Sequence, residues 1–204
     1  MSPDSPQHEQ IPWDAGRWLH PPVDVSVHEA VDNERMTVIA AEHSDAWRHT
    51  SYGFVHDDAH ALLVPFPEGV GMEVSFMLDY TEQFDQAGVY LHVSSSHWVK
   101  AGVEVSDGVV QVGAVVTDGR SDWSVAPVPD WFGQVVTVRL SRTGDAVTIR
   151  ARPADEPFRL VRVVPLDPDV VAEAGPFCCS PTRDGLTVTF LTWSLTPSDA
   201  GLHG

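Results

Sequence analysis

The side chains with the clearest capacity for chemistry lie on one predicted surface in the middle of the chain. Apolar and polar residues alternate from Asp85 to Val116, which is typical of three successive β-strands. Because every second side chain of a strand points to the same face, we expect one face to carry five polar groups: Gln86, Tyr90, Lys100, Glu104 and Gln111. Carboxylate, ammonium and amide groups together could bind hydroxyls or exchange protons with a bound molecule.

The opposite face of these strands is apolar, which indicates that it lies on a hydrophobic core. Its members are Ala87, Val89, Leu91, Val93, Val99, Ala101, Val103, Val105, Val110, Val112, Ala114 and Val116. The sheet is therefore predicted to have one buried face and one face that is available to solvent or to a ligand.

The pairing of the three strands can be predicted from their loops. Asp107-Gly108 favours a two-residue turn, because such a turn needs positive φ angles at both residues. Ser94 to Ser96 supplies the odd-length loop that keeps the faces of the first hairpin matched. The predicted pairs are Glu104 with Gln111, Gly102 with Gly113, Gln86 with Glu104, Gly88 with Gly102, and Tyr90 with Lys100.

Three glycines align across the polar face in this register. Gly88, Gly102 and Gly113 would form a row without side chains, which is a groove in the surface. Glycine inside a strand often marks the close approach of a ligand or of another part of the backbone. The row therefore predicts either a ligand groove or a strongly curved sheet on which a loop packs.

A fourth strand follows the turn at Asp118-Gly119. A two-residue loop would place Asp122 on the groove face near Lys100, with Trp123 towards the core. A three-residue loop would instead place Trp123 in the groove. We favour the first, because an unpaired aspartate in a core is costly.

Carbohydrate binding is the function that these residue types favour, since planar polar groups bind sugar hydroxyls and aromatic rings stack on sugar faces. A short polar-aromatic segment before the groove strands adds stacking candidates. The predicted ligand-binding residues are Trp47, Arg48, Tyr52, Gln86, Gly88, Tyr90, Lys100, Gly102, Glu104, Gln111, Gly113 and Asp122.

An enzyme acting on sugars is the first alternative. Glu104 with Asp122 or Asp85 could supply two carboxyl groups about 5–5.5 Å apart for a retaining glycosidase, or about 6.5–9.5 Å apart for an inverting one. In a lyase or epimerase-like reaction, Lys100 or a histidine could act as the base, because burial lowers the pKa of a lysine. The candidate catalytic residues are thus Glu104, Lys100 and Asp122, and a protein-interaction domain is the second alternative.

The segment His56 to His60, with the sequence HDDAH, is the one cluster that resembles a set of metal ligands. Calcium sites use carboxylates and carbonyl oxygens, yet a solvated acidic turn explains the segment more simply. We predict no metal ion and no cofactor.

Composition limits the class of partner. The chain has 204 residues and a formal net charge of −17, which argues against nucleic acid and anionic membranes as partners. No apolar run approaches the roughly 20 residues of a membrane helix, and no secretory signal is visible, so we expect a cytoplasmic protein. A homodimer is compatible with the sequence. The adjacent Cys178 and Cys179 should point to opposite faces of a strand, with one of them in the core.

Short strands recur throughout the chain with turn signals between them, and no helical periodicity of useful length appears. This pattern predicts an all-β sandwich or barrel. We expect a disordered leader at 1–12, a single β-sandwich domain at 13–196 and a flexible tail at 197–204.

Four motifs in this order resemble the DUF1349 family, whose members are uncharacterised. They are WRHTSYGF from Trp47, DQAGVYLHV and HWVKAGVE between Asp85 and Glu104, SDWSV from Ser121, and PFCCSP with GLTVTF between Pro176 and Phe190. The resemblance covers roughly 18–193 and implies a concanavalin A-like jelly roll of two curved antiparallel sheets. It implies no established activity and no catalytic residues. Many glucanases of this fold carry three carboxylates on one strand, whereas Val105, Ser106 and Asp107 follow Glu104 here, and this difference weighs against a glucanase.

Overall fold

The computed structural model describes residues 8–31 and 33–202, whose regular secondary structure is almost entirely β-strand. Those residues contain one 3-10 turn, Pro129–Trp131, and no helix long and apolar enough to cross a membrane. The first nine strands are β1 Glu9–Gln10, β2 Arg17–Trp18, β3 Asp24–Glu29, β4 Glu34–Ile39, β5 Ala46–Arg48, β6 Val55–Asp57, β7 His60–Pro65, β8 Val70–Met77 and β9 Gln86–Ser94. The remaining strands are β10 His97–Ser106, β11 Val109–Asp118, β12 Arg120–Pro127, β13 Val135–Thr143, β14 Ala146–Pro153, β15 Arg159–Pro165, β16 Glu173–Cys179 and β17 Thr187–Pro197.

Two large antiparallel sheets form a sandwich. The front sheet has the strand order β12-β11-β10-β9-β16-β7-β2, and the back sheet has the order β15-β14-β13-β8-β17-β4-β3, with β1 also paired to β17. A separate hairpin, β5–β6, belongs to neither sheet. This architecture confirms the predicted all-β, concanavalin A-like jelly roll of two curved sheets.

The main core lies between the two sheets. Alternating side chains from both sheets meet there, including Val74 and Phe76 of the back sheet and Val89 and Val103 of the front sheet, all at most 1% exposed. Burial of each such side chain stabilises the fold by about 1.5–3 kcal/mol. Trp193 is also fully buried in this core.

A second hydrophobic cluster lies on the outer face of the front sheet, the face turned away from the main core. The β5–β6 hairpin contributes Trp47, which packs in one cluster with Tyr90, Trp98 and Phe177 of the front sheet. The prediction that Cys178 and Cys179 face opposite sides is confirmed, because Cys178 lies in the main core and Cys179 in the outer cluster. The hairpin therefore covers part of the face that the sequence analysis left open.

The register predicted for β9, β10 and β11 is confirmed at every pair that defines the glycine row. The first loop differs in detail. Ser94 pairs with His97, so the turn itself has two residues, and a bulge between His97 and Trp98 supplies the odd residue. The bulge keeps the apolar faces of both strands on the core.

The prediction for the fourth strand was wrong. Asp118 pairs with Arg120, which places Trp123 opposite Val115 on the outer face and turns Asp122 to the inner side. Asp122 on the inner side does not destabilise the fold by desolvation, because β12 is an edge strand and the Asp122 side chain is 68% exposed. Its carboxylate accepts a hydrogen bond of 2.7 Å from Arg162 of β15.

The glycine row serves close approach between strands. A Cβ on Gly88 would collide with the carbonyl oxygen of Ala101, and one on Gly102 with that of Ala87. Phe177 pairs with Gly88 and borders a small cavity together with Gly102 and Gly113. An aromatic side chain of a neighbouring strand thus lies beside the glycines, and close packing of the strands accounts for the absence of side chains at this row.

Contacts with the sandwich extend beyond both ends of the predicted domain at 13–196. Glu9–Gln10 pairs with β17, and Ile11 is buried, so residues 8–12 join the sandwich, while residues 1–7 of the predicted leader lie outside the described part. Beyond β17, Asp199 accepts hydrogen bonds from Arg139 at 3.0 Å and Arg150 at 3.1 Å. The predicted tail is therefore anchored to the back sheet at this residue.

We expect Gly102→Ala to lower the free energy of unfolding by about 2–4 kcal/mol, because its Cβ would meet backbone atoms that cannot move aside. Gly53→Ala is the control, since Gly53 has a φ of +75° and a Cβ added there would have no neighbouring atom within 4 Å. That variant should cost only about 1–2 kcal/mol of backbone strain. Urea denaturation measures both, and equal losses would contradict a steric role for the glycine row.

Candidate functional site

A cavity of about 350 Å³ opens on the outer face of the front sheet. Its floor comes from β9 and β10, one wall from β12, and another from the β5–β6 hairpin with the segment before it. Pro181 and Thr182 close the rim, and Arg183 beside them donates three hydrogen bonds of 2.5–3.2 Å to the buried Asp85. Asp85 is thus a structural anchor for the rim rather than the second catalytic carboxylate considered above.

A buried ion pair forms the deepest polar part of the cavity. Lys100 Nζ donates to Asp45 Oδ1 at 2.6 Å, and the Lys100 side chain is only 5% exposed. Asp45 Oδ1 also accepts from the backbone N–H of Ala46 at 2.7 Å and lies 3.8 Å from Cys179 Sγ. Burial raises the pKa of the Cys179 thiol well above its usual range, so this thiol is an unreactive neighbour.

The HDDAH segment holds Asp45 in place. Asp58 Oδ1 accepts a hydrogen bond of 2.8 Å from the backbone N–H of Asp45, and the N–H groups of Asp58 and Ala59 donate to the Asp45 carbonyl oxygen at 2.9 Å. His60 Nε2 accepts from the Ala41 N–H at 2.9 Å, and burial lowers the pKa of His60. Across residues 8–31 and 33–202, no group of three or more His, Cys, Asp or Glu could hold a metal ion. These hydrogen bonds give the segment a structural role, and its first residue, His56, also borders the cavity.

The pKa of Lys100 is raised, not lowered. Burial, the largest single effect, lowers the pKa, but the charge and the hydrogen bond of Asp45, with smaller effects of Cys179 and Glu104, together outweigh it. Lys100 therefore remains protonated near neutral pH, which weighs against the hypothesis that it acts as a low-pKa base.

Glu104 differs from Lys100 because the rise in its pKa, from 4.5 to about 7, brings its titration close to neutral pH. Burial is the main cause of this rise in the pKa. The nearby Lys100 ammonium and an interaction with the Trp123 side chain partly offset it, and the Asp45 carboxylate adds to it. Glu104 Oε1 is enclosed and has no hydrogen-bond partner among the described residues. The cavity thus contains one carboxyl group that exchanges its proton near pH 7.

A row of aromatic rings forms the wall of the cavity. Trp47 lies between Trp123 and Tyr52, with ring centroids at 6.5 Å and 5.7 Å, and Tyr52 stacks on Phe54 at 5.3 Å. Trp47 is buried, whereas Tyr52, Phe54 and Trp123 are 60%, 43% and 39% exposed. Their open faces offer a surface on which a flat ligand could stack.

Backbone strain is concentrated around the cavity. His43 and Phe84, which both line it, have φ angles of +65°. His49 and Ser51 of the β5–β6 loop have φ angles of +64° and +62°. Each left-handed residue of this kind costs about 1–2 kcal/mol, and such strain is often found at binding sites.

The structure brings together five of the twelve predicted ligand-binding residues at the cavity: Trp47, Tyr52, Gln86, Lys100 and Glu104. Tyr90 is 1% exposed beneath Trp47 and Phe177 and does not reach the cavity. Arg48 donates to the Ser95 carbonyl oxygen at 3.3 Å, and Gln111 donates to that of Ser106 at 3.2 Å.

Sequence reasoning missed the loop residues of the cavity, above all Asp45. Its only signal was its position two residues before the aromatic segment that begins at Trp47. His43, Phe84 and Thr182 also lie in loops without periodic patterns. Trp123 was considered for the groove but assigned to the core, because the length of the preceding turn was misjudged.

Comparison with known proteins identifies the family. The model of "Protein of unknown function (DUF1349)" matches residues 18–198. The chain belongs to the DUF1349 family. Regulation of enolase protein 1 of Saccharomyces cerevisiae is 34% identical to this DUF1349 chain over 189 residues, which are 92% of this chain and 93% of the yeast protein.

Solved structures share the fold of this DUF1349 protein. The crystal structure of a functionally unknown protein from Saccharomyces cerevisiae has a TM-score of 0.83 and 33% identity, with 94% of this chain and 100% of that chain covered. The xylan β-1,4-xylosidase of Bacillus halodurans C-125 has a TM-score of 0.65 and 13% identity, with 96% of this chain and 40% of that chain covered. At this identity, the likeness to the xylosidase shows the fold alone.

We expect Asp45→Asn to lower the free energy of unfolding by about 3 kcal/mol, because it leaves the Lys100 ammonium buried without a counter-charge. The double variant Asp45→Asn/Lys100→Met should cost less than Asp45→Asn alone. Arg17→Met is the control, because the Arg17–Glu173 pair is exposed and should contribute less than about 1 kcal/mol. Additive losses in the Asp45 and Lys100 cycle, measured by denaturation, would contradict the coupling.

Proposed function

We propose that this DUF1349 protein binds a carbohydrate-type ligand in the cavity beside the β5–β6 hairpin. The observation that carries the proposal is the row of exposed aromatic rings next to a polar floor of Asp45, Lys100 and Glu104. The proposed site lies on the same face as the glycine row, and its lining includes Lys100 from one side of that row and Glu104 from the other.

The chemistry of the cavity suits a sugar. Aromatic faces stack on the C–H groups of a pyranose ring, while carboxylates, amides and ammonium groups bind its hydroxyls. Gln86 donates its amide N–H to the Phe84 carbonyl oxygen at 3.1 Å, and this bond orients the side chain at the cavity. The volume of about 350 Å³ lies at the lower end of the range of small-molecule sites, which fits one or two sugar rings. The xylosidase likeness supports the choice of a sugar at the level of fold.

Titration with xylose, glucose, glucosamine and xylo-oligosaccharides, followed by tryptophan fluorescence and calorimetry, tests the proposal. We expect saturable binding by at least one sugar that Trp123→Ala weakens about tenfold, since loss of one stacking surface removes about 1–1.5 kcal/mol. Phe132→Ala is the control, because Phe132 is 48% exposed and lies outside the cavity. Absence of binding by every sugar would overturn the proposal.

Hydrolysis of a glycosidic bond is the second candidate, and the raised pKa of Glu104 favours it. A carboxyl group that is partly protonated at pH 7 can donate a proton to a leaving oxygen. Asp45 borders the same cavity and could supply the second carboxyl group in place of Asp122, which lies outside it.

Release of nitrophenol from nitrophenyl glycosides tests this second candidate. If Glu104 is the acid, the rate should fall as the pH rises through about 7, because its proton is then lost. Glu104→Gln should abolish turnover while sugar binding survives. Sugar binding without any product would exclude hydrolysis of these glycosides and leave the binding proposal intact.

A further inference from the structure

We infer that the ligand of this cavity carries a cationic amine, so that an amino sugar fits the site better than a neutral or an anionic sugar. The inference rests on the proposed sugar-binding function and names the substrate class of the same site. It follows from the negative charge of the Glu104 carboxylate, which no cation among the described residues of the cavity balances.

Glu104 is the carboxylate of the cavity without an ion-pair partner among the described residues. The Lys100 ammonium donates to Asp45 at 2.6 Å, so the cation closest to the cavity floor is already paired. The Trp123 side chain interacts with the Glu104 carboxylate and favours its ionised form, Oε1 is enclosed without a hydrogen bond from the described part of the chain, and the side chain borders the open cavity. A half-buried carboxylate without a counter-charge is unfavourable, and a cation in the cavity would supply that charge.

The other charged groups around the cavity do not remove this excess. Two carboxylates, Asp45 and Glu104, share the floor with one ammonium group. The rim histidines face carboxylates of their own, since His43 lies 3.5 Å from Glu42 and His56 lies 3.9 Å from Asp58. When Glu104 is ionised, the floor carries one net negative charge, and the chain as a whole carries −17. The negative charge of the cavity floor and the negative net charge of the chain both attract cations and repel uronates and sugar phosphates.

The aromatic row suits the same ligand. Trp47, Tyr52 and Trp123 line the cavity, and cations are attracted to aromatic ring faces by about 0.5–2 kcal/mol. A carboxylate beside aromatic rings therefore suits an amino sugar, because the amine can pair with the carboxylate while the pyranose ring stacks on the aromatic side chains. Neutral sugars would use only the stacking part of this surface.

Calorimetric titration with glucosamine, glucose, glucuronate and choline tests the inference at pH 7.5. We expect glucosamine to bind at least tenfold more tightly than glucose, and glucuronate more weakly than glucose. Glu104→Gln should remove the advantage of glucosamine, and Glu104→Asp should retain part of it. Asp122→Asn is the matched control, because it removes one carboxylate outside the cavity and should leave the preference unchanged.

The outcomes separate the two proposals. Equal binding of glucose and glucosamine would overturn the amine inference and leave sugar binding supported. If choline binds as tightly as glucosamine while glucose does not bind, the amine inference stands and the sugar proposal fails. The charge of choline does not titrate, so its affinity should rise with pH through about 7 as Glu104, next to Asp45 and Lys100, loses its proton. A flat or opposite pH profile would contradict the pairing with Glu104.

Discussion

The buried ion pair between Lys100 and Asp45 is the interaction on which the outer face of the front sheet depends. Lys100 lies in the middle of β10, where an unpaired ammonium group would be strongly destabilising. Its counter-charge comes from the segment that leads into the β5–β6 hairpin, and the HDDAH segment holds that carboxylate through its backbone. Pairing the lysine therefore fixes the hairpin, and the hairpin carries Trp47 and Tyr52 to the cavity.

The same pair determines the chemistry of the remaining carboxyl group. Since the Lys100 ammonium is bonded to Asp45, it offsets only part of the burial of Glu104, whose pKa is raised to about 7. A site with two carboxylates and one ammonium group can attract a cation when Glu104 is ionised and can donate a proton when it is not. Cation binding by Glu104 should strengthen as the pH rises through about 7, whereas catalysis by protonated Glu104 should weaken. The pH dependence of binding and of turnover therefore distinguishes the two proposed roles.

Sequence reasoning succeeded where local turn chemistry determines the result. Asp107-Gly108 defines the β10–β11 register, and this register correctly aligned Gly102 with Gly113. Sequence reasoning assigned Asp122 and Trp123 to the wrong faces of β12, because it assumed that the inner face of this strand is covered. Asp122 instead lies at an exposed sheet edge. Asp45 could not be predicted either, since its position depends on long-range hydrogen bonds of a loop that has no periodic pattern. The fold was thus predictable, whereas the site was predictable only where strand periodicity or an aromatic motif marked its residues, as at Lys100 and Tyr52.

The glycine row shapes the site indirectly. Without side chains at Gly88 and Gly102, the strands approach closely, and Phe177 lies beside them on the outer face. Phe177 packs with Tyr90 at 5.9 Å, and this ring surface belongs to the cluster that contains Trp47. That cluster covers Tyr90, whereas Lys100 on the same side of the row and Glu104 on the other side still border the cavity. The glycine row therefore packs against Phe177 beside the cavity, and the hairpin packed on this cluster supplies the wall of the cavity.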